Sequence, residues 1–266
     1  MVIYPHPKSR GVTSVSPDHP RYASLMTREK LVKGVEDGIT GLNGLIAHGR
    51  GEAFDYLLGE GTQHFARRAC RAAAVRLCLA RHPVLSVNGN VAALVPEGMV
   101  ALARRLGCPL EVNLFYRTEE RVHKIAELLR GLGAETVYGE HPDCQLPGLS
   151  SERGKTDSRG IWAADVVLVP LEDGDRTEAL VAMGKCVITV DLNPLSRTAR
   201  HASITIVDNL VRALPMLVEE TAKLETKPRL EVEQLDGAYA NRHTMREALE
   251  FMAERLRWLA GEGMDP

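Results

Sequence analysis

The chain has 266 residues, 44% of them hydrophobic and 26% charged, and a formal net charge of −2. That length is enough for one large α/β domain with an ordinary globular composition. The 33 basic residues are dispersed, which excludes the clustered positive excess that a nucleic-acid backbone requires. The clearest uncharged stretch, Pro83–Pro96, is broken by Asn88, Gly89 and Asn90 and is too short and polar to span a bilayer.

Residues 1–20, rich in Pro, Ser and His, read as an extended arm. A helix is predicted from Thr27, with Leu31, Val32, Val35 and Ile39 at helical spacing. Gly38 and Gly41 interrupt the chain beyond this helix. Gly44–Ala47 then leads through His48-Gly49-Arg50-Gly51-Glu52 into a short helix expected over Ala53–Leu58. Val84–Val87 reads as a strand and Pro96–Leu106 as a helix with proline at its tolerated first position. Glu111–Phe115 is a strand and Thr118–Leu132 a helix, with Thr118 as N-cap and Glu119 and Glu120 in the first turn. Arg121 stands where a capping box would need Glu or Gln.

Further strands are predicted at Thr136–Tyr138, Asp165–Pro170, Val187–Asp191 and Ile204–Val207, and helices at Arg176–Met183 and Leu210–Glu225. Pro215 predicts a late start or kink in the last of these. Residues 140–160 read as a long loop without periodicity. Ala240–Leu259 is amphipathic, with Met245, Leu249, Met252, Leu256 and Leu259 as a core or subunit-contact stripe. The alternation of apolar strands and helices predicts an α/β fold, a Rossmann-like three-layer sandwich around a mainly parallel sheet. It is expected as a single domain: N-terminal arm and helices (1–60), sheet core (83–226) and C-terminal helical tail (227–266).

Five cysteines (Cys70, Cys78, Cys108, Cys144, Cys186) show no CxxC spacing and no histidines at zinc-like intervals. Their odd number and apolar settings predict free thiols in a reducing, cytoplasmic compartment. No basic-then-apolar leader opens the sequence, so no signal peptide is expected.

The segment Asp191-Leu192-Asn193-Pro194-Leu195-Ser196-Arg197-Thr198 is the most informative one. It falls at the carboxyl end of a predicted strand, where open α/β sheets bind ligands. Asp191 can accept from a ribose hydroxyl, Asn193 can pair with a base or sugar, and Arg197 and Thr198 can reach phosphate oxygens. Asp208-Asn209 supplies backbone donors after the next strand. The plainer reading is a polar turn followed by a helix capped by Ser196.

The span His48–Asp55, HGRGEAFD, gathers an imidazole, a guanidinium and two carboxylates around two glycines. With a helix beginning near Glu52, its first amides and Arg50 could hold a phosphate; otherwise Arg50 simply pairs with Glu52. Asn88-Gly89-Asn90 can orient a carboxylate or amide, or can serve as turn chemistry. Asn113, Tyr116 and Arg117 end the next strand, with Arg117 meeting an anion or pairing with a carboxylate such as Glu120. The acidic turn Glu172–Glu178 can hold Mg²⁺ or cap a helix; Asp175 is its metal candidate. No GxGxxG, GxxxxGK[ST] or GxSxG occurs, so a standard dinucleotide site, a P-loop and a nucleophile elbow are all unsupported.

Six segments taken in order carry a resemblance: His19–Tyr22, Arg28–Lys30, Gly44–Asp55, Val87–Asn90, Asn113–Arg121 and Asp191–Thr198. Together they resemble the archaeal 4-phosphopantoate–β-alanine ligase (phosphopantothenate synthetase) family over about residues 17–220. The resemblance implies ATP-dependent joining of 4-phosphopantoate to β-alanine, giving 4′-phosphopantothenate, AMP and pyrophosphate, with Mg²⁺, in a Rossmann-like homodimer. It places ATP contacts at Arg28, Arg50, Asp191, Leu192, Asn193, Arg197, Thr198, Asn209 and Leu210. The implied adenylate is attacked by the neutral amine of β-alanine, so no protein nucleophile is needed. Arg21 is assigned to the substrate phosphate, and His48 and Asn88 to pantoate contacts. Two other classes fit the same residues: a small-molecule kinase or nucleotidyltransferase, and a nucleotide sensor without turnover.

Overall fold

The computed structural model describes residues 15–237 and 239–261. The expected arm therefore falls largely outside the described residues, as does the end of the C-terminal tail at 262–266. Three helices open the described chain: α1 (Tyr22–Glu36), α2 (Leu42–Leu58) and α3 (His64–Leu79). Then come β1 (Pro83–Val87), α4 (Gly89–Leu94), α5 (Pro96–Leu106), β2 (Leu110–Val112), α6 (Glu119–Gly131) and β3 (Val137–Tyr138). A short antiparallel pair, β4 (Cys144–Gln145) and β5 (Lys155–Thr156), flanks a 3-10 turn at Glu152–Gly154. The chain continues through β6 (Val166–Leu168), α7 (Gly174–Ala182), β7 (Cys186–Val190), α8 (Arg197–His201) and β8 (Ile204–Ile206). It closes with α9 (Leu210–Glu225), α10 (Arg229–Leu235) and α11 (Asn241–Gly261).

Six strands form one sheet in the order β3-β2-β1-β6-β7-β8, every pair parallel. The order turns back between β1 and β6, the switch point at which doubly wound sheets open a crevice. Alternation along each strand divides the apolar side chains between two faces. Leu85, Val87, Val166, Leu168, Ile188 and Val190 join the larger core under α3, α5, α6 and α9. Val84, Val167, Val169 and Val187 face a smaller core with Leu146, Ile161 and Leu180. The three-layer α/β expectation is therefore met, and the strand positions agree to within a few residues.

Four local expectations are corrected. Helix α1 begins at Tyr22, five residues before Thr27, whose hydroxyl donates to Ala23 O at 2.8 Å inside the helix. Helix α2 runs unbroken from Leu42, so His48–Asp55 is helix interior and offers no N-terminal amides to a phosphate. Its glycines cost helix stability and conceal it from a propensity reading. Pro215 does not delay α9, which starts at Leu210 because the Asn209 side chain accepts from Val211 N. In α11 the buried stripe is Met245, Ala248 and Met252, while Leu249 and Leu256 are exposed.

Helix α3 has no clear signature in the sequence, which there is dominated by alanine and arginine. Its buried face, Phe65, Ala66, Ala69, Cys70, Ala73 and Leu77, is small enough to let it lie close against α9 and β8. The free edge of β8 is covered by the start of α11: Thr205 N donates to Asn241 Oδ1 at 2.8 Å, which blocks further strand addition there.

The 140–160 segment is stapled to the sheet by Glu111 of β2, which is fully buried. Its carboxylate accepts from Thr156 Oγ1 (2.6 Å), Ile161 N (2.7 Å) and Asp157 N (3.3 Å). Burial raises the Glu111 pKa, and these donors partly offset that. Glu111→Ala would orphan all three donors at once. We expect a loss on the order of 3 kcal/mol, read as a lower urea midpoint with an unchanged slope; an unchanged midpoint would remove Glu111 as the staple.

Candidate functional site

A cleft of about 720 Å³ opens along the carboxyl ends of β2, β1, β6, β7 and β8, beneath α2. At the β7–β8 end, Asp191 is half-buried and accepts from Asn193 N at 2.9 Å and from the Ser196 hydroxyl. Burial raises its pKa, opposed by those bonds and by the charge of Arg50. Ser196 also caps α8 through Ala199 N (2.9 Å), so the plainer reading of this segment is correct as far as it goes. It is not the whole account, because Asp191, Leu192, Asn193, Ser196, Arg197 and Thr198 all line the cleft.

Helix α2 crosses over this end. Arg50, Gly51 and Phe54 line the cleft; a Cβ on Gly51 would lie 4.0 Å from Leu192 Cδ1. Asp55, one turn on, is buried and holds Asn209 rather than a ligand. It accepts from Asn209 Nδ2 (2.9 Å) and from Arg212 Nη1 (3.1 Å) and Nη2 (2.6 Å). Arg212 also bonds Asp208, whose second oxygen accepts from Thr62 Oγ1 at 2.6 Å. This network fixes Asn209 at the head of α9, where it lines the cleft with Leu210.

The middle of the cleft lies over β1 and β6. Asn88 spends its side chain internally: Nδ2 donates to Pro170 O and Leu171 O, both at 3.1 Å, and Oδ1 accepts from Val91 N. Leu171 takes a left-handed backbone, φ +53, a strain that a leucine adopts only where its surroundings enforce it. Glu172 follows, buried between Arg153 and Arg176. Burial lowers both arginines to about 10, with Asp173 pulling each back up. Asp173 Oδ2 faces Arg153 Nε at 2.9 Å, without the alignment of a hydrogen bond.

The sequence-derived candidates divide into two groups. Arg50, Asp191, Leu192, Asn193, Arg197, Thr198, Asn209, Leu210, His48 and Asn88 all border the cleft. Arg28 and Arg21 do not. Arg28 pairs with Glu52 at 3.0 Å, and Arg21 donates to Tyr56 Oη at 2.5 Å. Glu52 is thus taken by Arg28, not by Arg50. Arg117 pairs weakly with Glu152 (4.0 Å) and donates to Gly139 O at 2.5 Å; Glu120 pairs with Lys124 instead. Asp175 pairs with Arg197 at 2.5 Å, and Asp173 makes no side-chain cap bond at the start of α7. No cluster of three metal-ligating residues occurs among the described residues.

Sequence reasoning passes over Arg153 and Arg121 as site residues, although both line the cleft. Arg153 lies in the aperiodic 140–160 segment and gives no local clue. Arg121 does give one, a cation in the first turn of a helix, where the macrodipole favours anions.

His48 lines the cleft with Nε2 buried and unpartnered. Burial lowers its pKa below 6.5, with Glu52 and Asp55 opposing and Arg28 assisting.

The sheet order and this cleft define a doubly wound α/β protein whose polar crevice suits phosphate-bearing ligands. Residues 65–255 match the family model described as phosphopantothenate/pantothenate synthetase. A 4-phosphopantoate–β-alanine ligase of Thermococcus kodakarensis is 57% identical over 254 residues, covering 95% of this chain and 97% of the relative. One from Methanosarcina mazei is 52% identical (94% and 99% covered), and one from Methanospirillum hungatei 48% identical (90% and 96% covered). The chain belongs to the phosphopantothenate/pantothenate synthetase family.

Two measurements test this geometry. Asp55→Asn should loosen Asn209 and lower stability by about 1.5 kcal/mol for one charged hydrogen bond, read as a lower urea midpoint; an unchanged midpoint would remove Asp55 as the residue that holds Asn209. For His48, the unfolded state takes up its proton near pH 6.5 while the folded state resists, so stability falls as pH drops below about 6.5. His48→Gln should lose less stability than the parent between pH 7.5 and 5.5 in urea titrations. Equal losses would show that His48 is not held neutral by burial.

Proposed function

We propose that the chain is an ATP-dependent 4-phosphopantoate–β-alanine ligase that forms 4′-phosphopantothenate, AMP and pyrophosphate as a step toward coenzyme A. The observation that carries the reading is a single cleft bordered by Asp191–Thr198, Asn209 and Arg50, in a chain 57% identical to a relative of that name.

ATP is placed over β7 and β8, against Arg50, Asp191, Leu192, Asn193, Arg197, Thr198, Asn209 and Leu210. The 4-phosphopantoate carboxylate attacks the α-phosphorus and pyrophosphate leaves. The neutral amine of β-alanine then attacks the acyl carbon, forming the amide and releasing AMP. Neither step needs a protein nucleophile, so catalysis rests on positioning and on neutralising charge at the α-phosphate. His48 and Asn88 border the space for the pantoate, and a neutral His48 suits contact with its hydroxyl. The role of Arg28 at ATP rests on the family resemblance alone, and that of Arg21 on the need of the substrate phosphate for a cation.

Mg²⁺ would enter with ATP, bound through its phosphates, and would neutralise their charge. The chain works as one α/β domain within a homodimer. In support, α2 exposes Leu42 and Ile46, 70% and 71% exposed and one turn apart on one face, a surface a second protomer would cover. A cytoplasmic setting fits five free cysteines, and no helix among the described residues is long and apolar enough to cross a membrane.

The test follows nucleotide release from MgATP and 4-phosphopantoate with and without β-alanine. AMP release that needs both substrates is expected; ADP release would indicate a kinase or an acyl phosphate, and no turnover a sensor. Arg197→Ala should raise the KM for ATP about tenfold with little change in melting temperature, since its pairs with Asp175 and Glu178 are exposed. An unchanged KM would remove Arg197 from the site.

A further inference from the structure

The end of the cleft opposite Asp191 is bordered by Arg121, Tyr116, Phe115, Gly41, Asn43 and Gly89. Arg121 is the third residue of α6, following the cap Thr118, so its cation adds to the positive end of the helix dipole instead of opposing it. Two backbone carbonyls hold the half-buried guanidinium: Nη1 donates to Tyr116 O at 2.6 Å and Nη2 to Ile39 O at 3.1 Å. Nε is buried and has no partner.

Among the described residues the charge is also uncompensated. Burial alone moves the Arg121 pKa, downward, with no carboxylate raising it. Of the other cleft guanidiniums, Arg153 and Arg197 are each paired with two carboxylates, and Arg50 stands beside Asp191 at the far end of the cleft. The wall beside Arg121 is glycine. A Cβ on Gly89 would fall 2.6 Å from Ile39 O and 3.1 Å from Arg121 Nη2, and one on Gly41 3.8 Å from either Nη. A half-buried, rigidly held, unpaired guanidinium with a free donor is prepared for an anion.

Sheet order sets how far this anion lies from the nucleotide. Arg121 follows β2 and Asp191 follows β7, three strand spacings apart in the order β2-β1-β6-β7, or about 14 Å. 4-Phosphopantoate carries its carboxylate at one end of a four-carbon chain and its phosphate at the other. With the carboxylate turned toward ATP, the phosphate points away from β7.

Resting on the ligase reading above, we propose that Arg121 binds the phosphate of 4-phosphopantoate, and so selects the phosphorylated substrate over pantoate. Arg121 meets the ligand through the remaining N–H groups at the open edge of its fork, while the Tyr116 and Ile39 carbonyls keep the guanidinium in place.

Two variants test this, with 4-phosphopantoate binding measured by calorimetry alongside AMP release. Arg121→Ala removes the cation. Gly41→Asp keeps it and sets a carboxylate beside it; Gly41 is the N-cap of α2 with extended backbone (φ −86, ψ 158), where Asp is favoured. Both should lower kcat/KM for 4-phosphopantoate about 10- to 100-fold and weaken its binding to match. The preference over pantoate should fall by the same factor, with the KM for ATP and β-alanine within about twofold of the parent.

Unchanged 4-phosphopantoate parameters in Gly41→Asp would overturn the proposal even if Arg121→Ala misfolds. A loss confined to β-alanine would reassign Arg121 to the carboxylate of that substrate. If the parent binds 4-phosphopantoate without releasing AMP and both variants lose that binding, the ligase reading falls and the Arg121 site stands. No binding to the parent overturns both.

Discussion

Both halves of the cleft depend on Glu172. Its carboxylate is buried between Arg153 and Arg176, and its carbonyl accepts from Thr198 Oγ1 at 2.7 Å. Through Arg176, which donates to Ser86 Oγ at 3.0 Å, it grips β1. Through Arg153 it grips the 140–160 segment, and through Thr198 the head of α8. One residue shortly after the end of β6 thus fixes the head of α8 and the 140–160 segment relative to one sheet. The left-handed Leu171 just before it is consistent with a position that many partners over-determine.

A buried cluster of this kind contributes geometry more than stability. Desolvating two guanidiniums and a carboxylate costs several kcal/mol per ion, which their mutual attraction largely offsets. The lowered Arg153 and Arg176 pKa values, about 10, record that cost while leaving both cations charged at neutral pH. The arrangement supplies orientation: a reaction that relies on positioning needs walls that do not relax. The Asp55–Asn209–Arg212 network does the same for the head of α9.

Helix α2 shows how one span of sequence serves several purposes. Glu52 faces α1 and holds Arg28, Asp55 faces α9 and holds Asn209, and His48 and Arg50 face the cleft. His48, Glu52 and Asp55 are three and four apart and so lie along one side of the helix at successive turns, where each meets a different neighbour, and a cluster that looks like one site in sequence is divided among them. Reading HGRGEAFD as a loop entering a helix misses this, because two glycines lower the apparent helix propensity while tertiary contacts hold the helix together.

The sequence by itself determined the sheet. The largely apolar run Val84–Val87 and the β-branched runs Val187–Val190 and Ile204–Ile206 read as buried strands, and the intervening helices force parallel crossovers. It also placed Asp191–Thr198 and Asn209 at the strand ends, because the order of elements along the chain fixes which residues come after each strand. The tertiary structure decided which charges are free. Arg197, Arg153 and Arg121 look alike in sequence, but the carboxylates that neutralise the first two come from Asp175, Glu178, Glu172 and Asp173, while Arg121 receives only carbonyls from residues 39 and 116. Such contacts act over a few ångströms between distant segments, 82 residues apart for Arg121 and Ile39, and no local pattern encodes them.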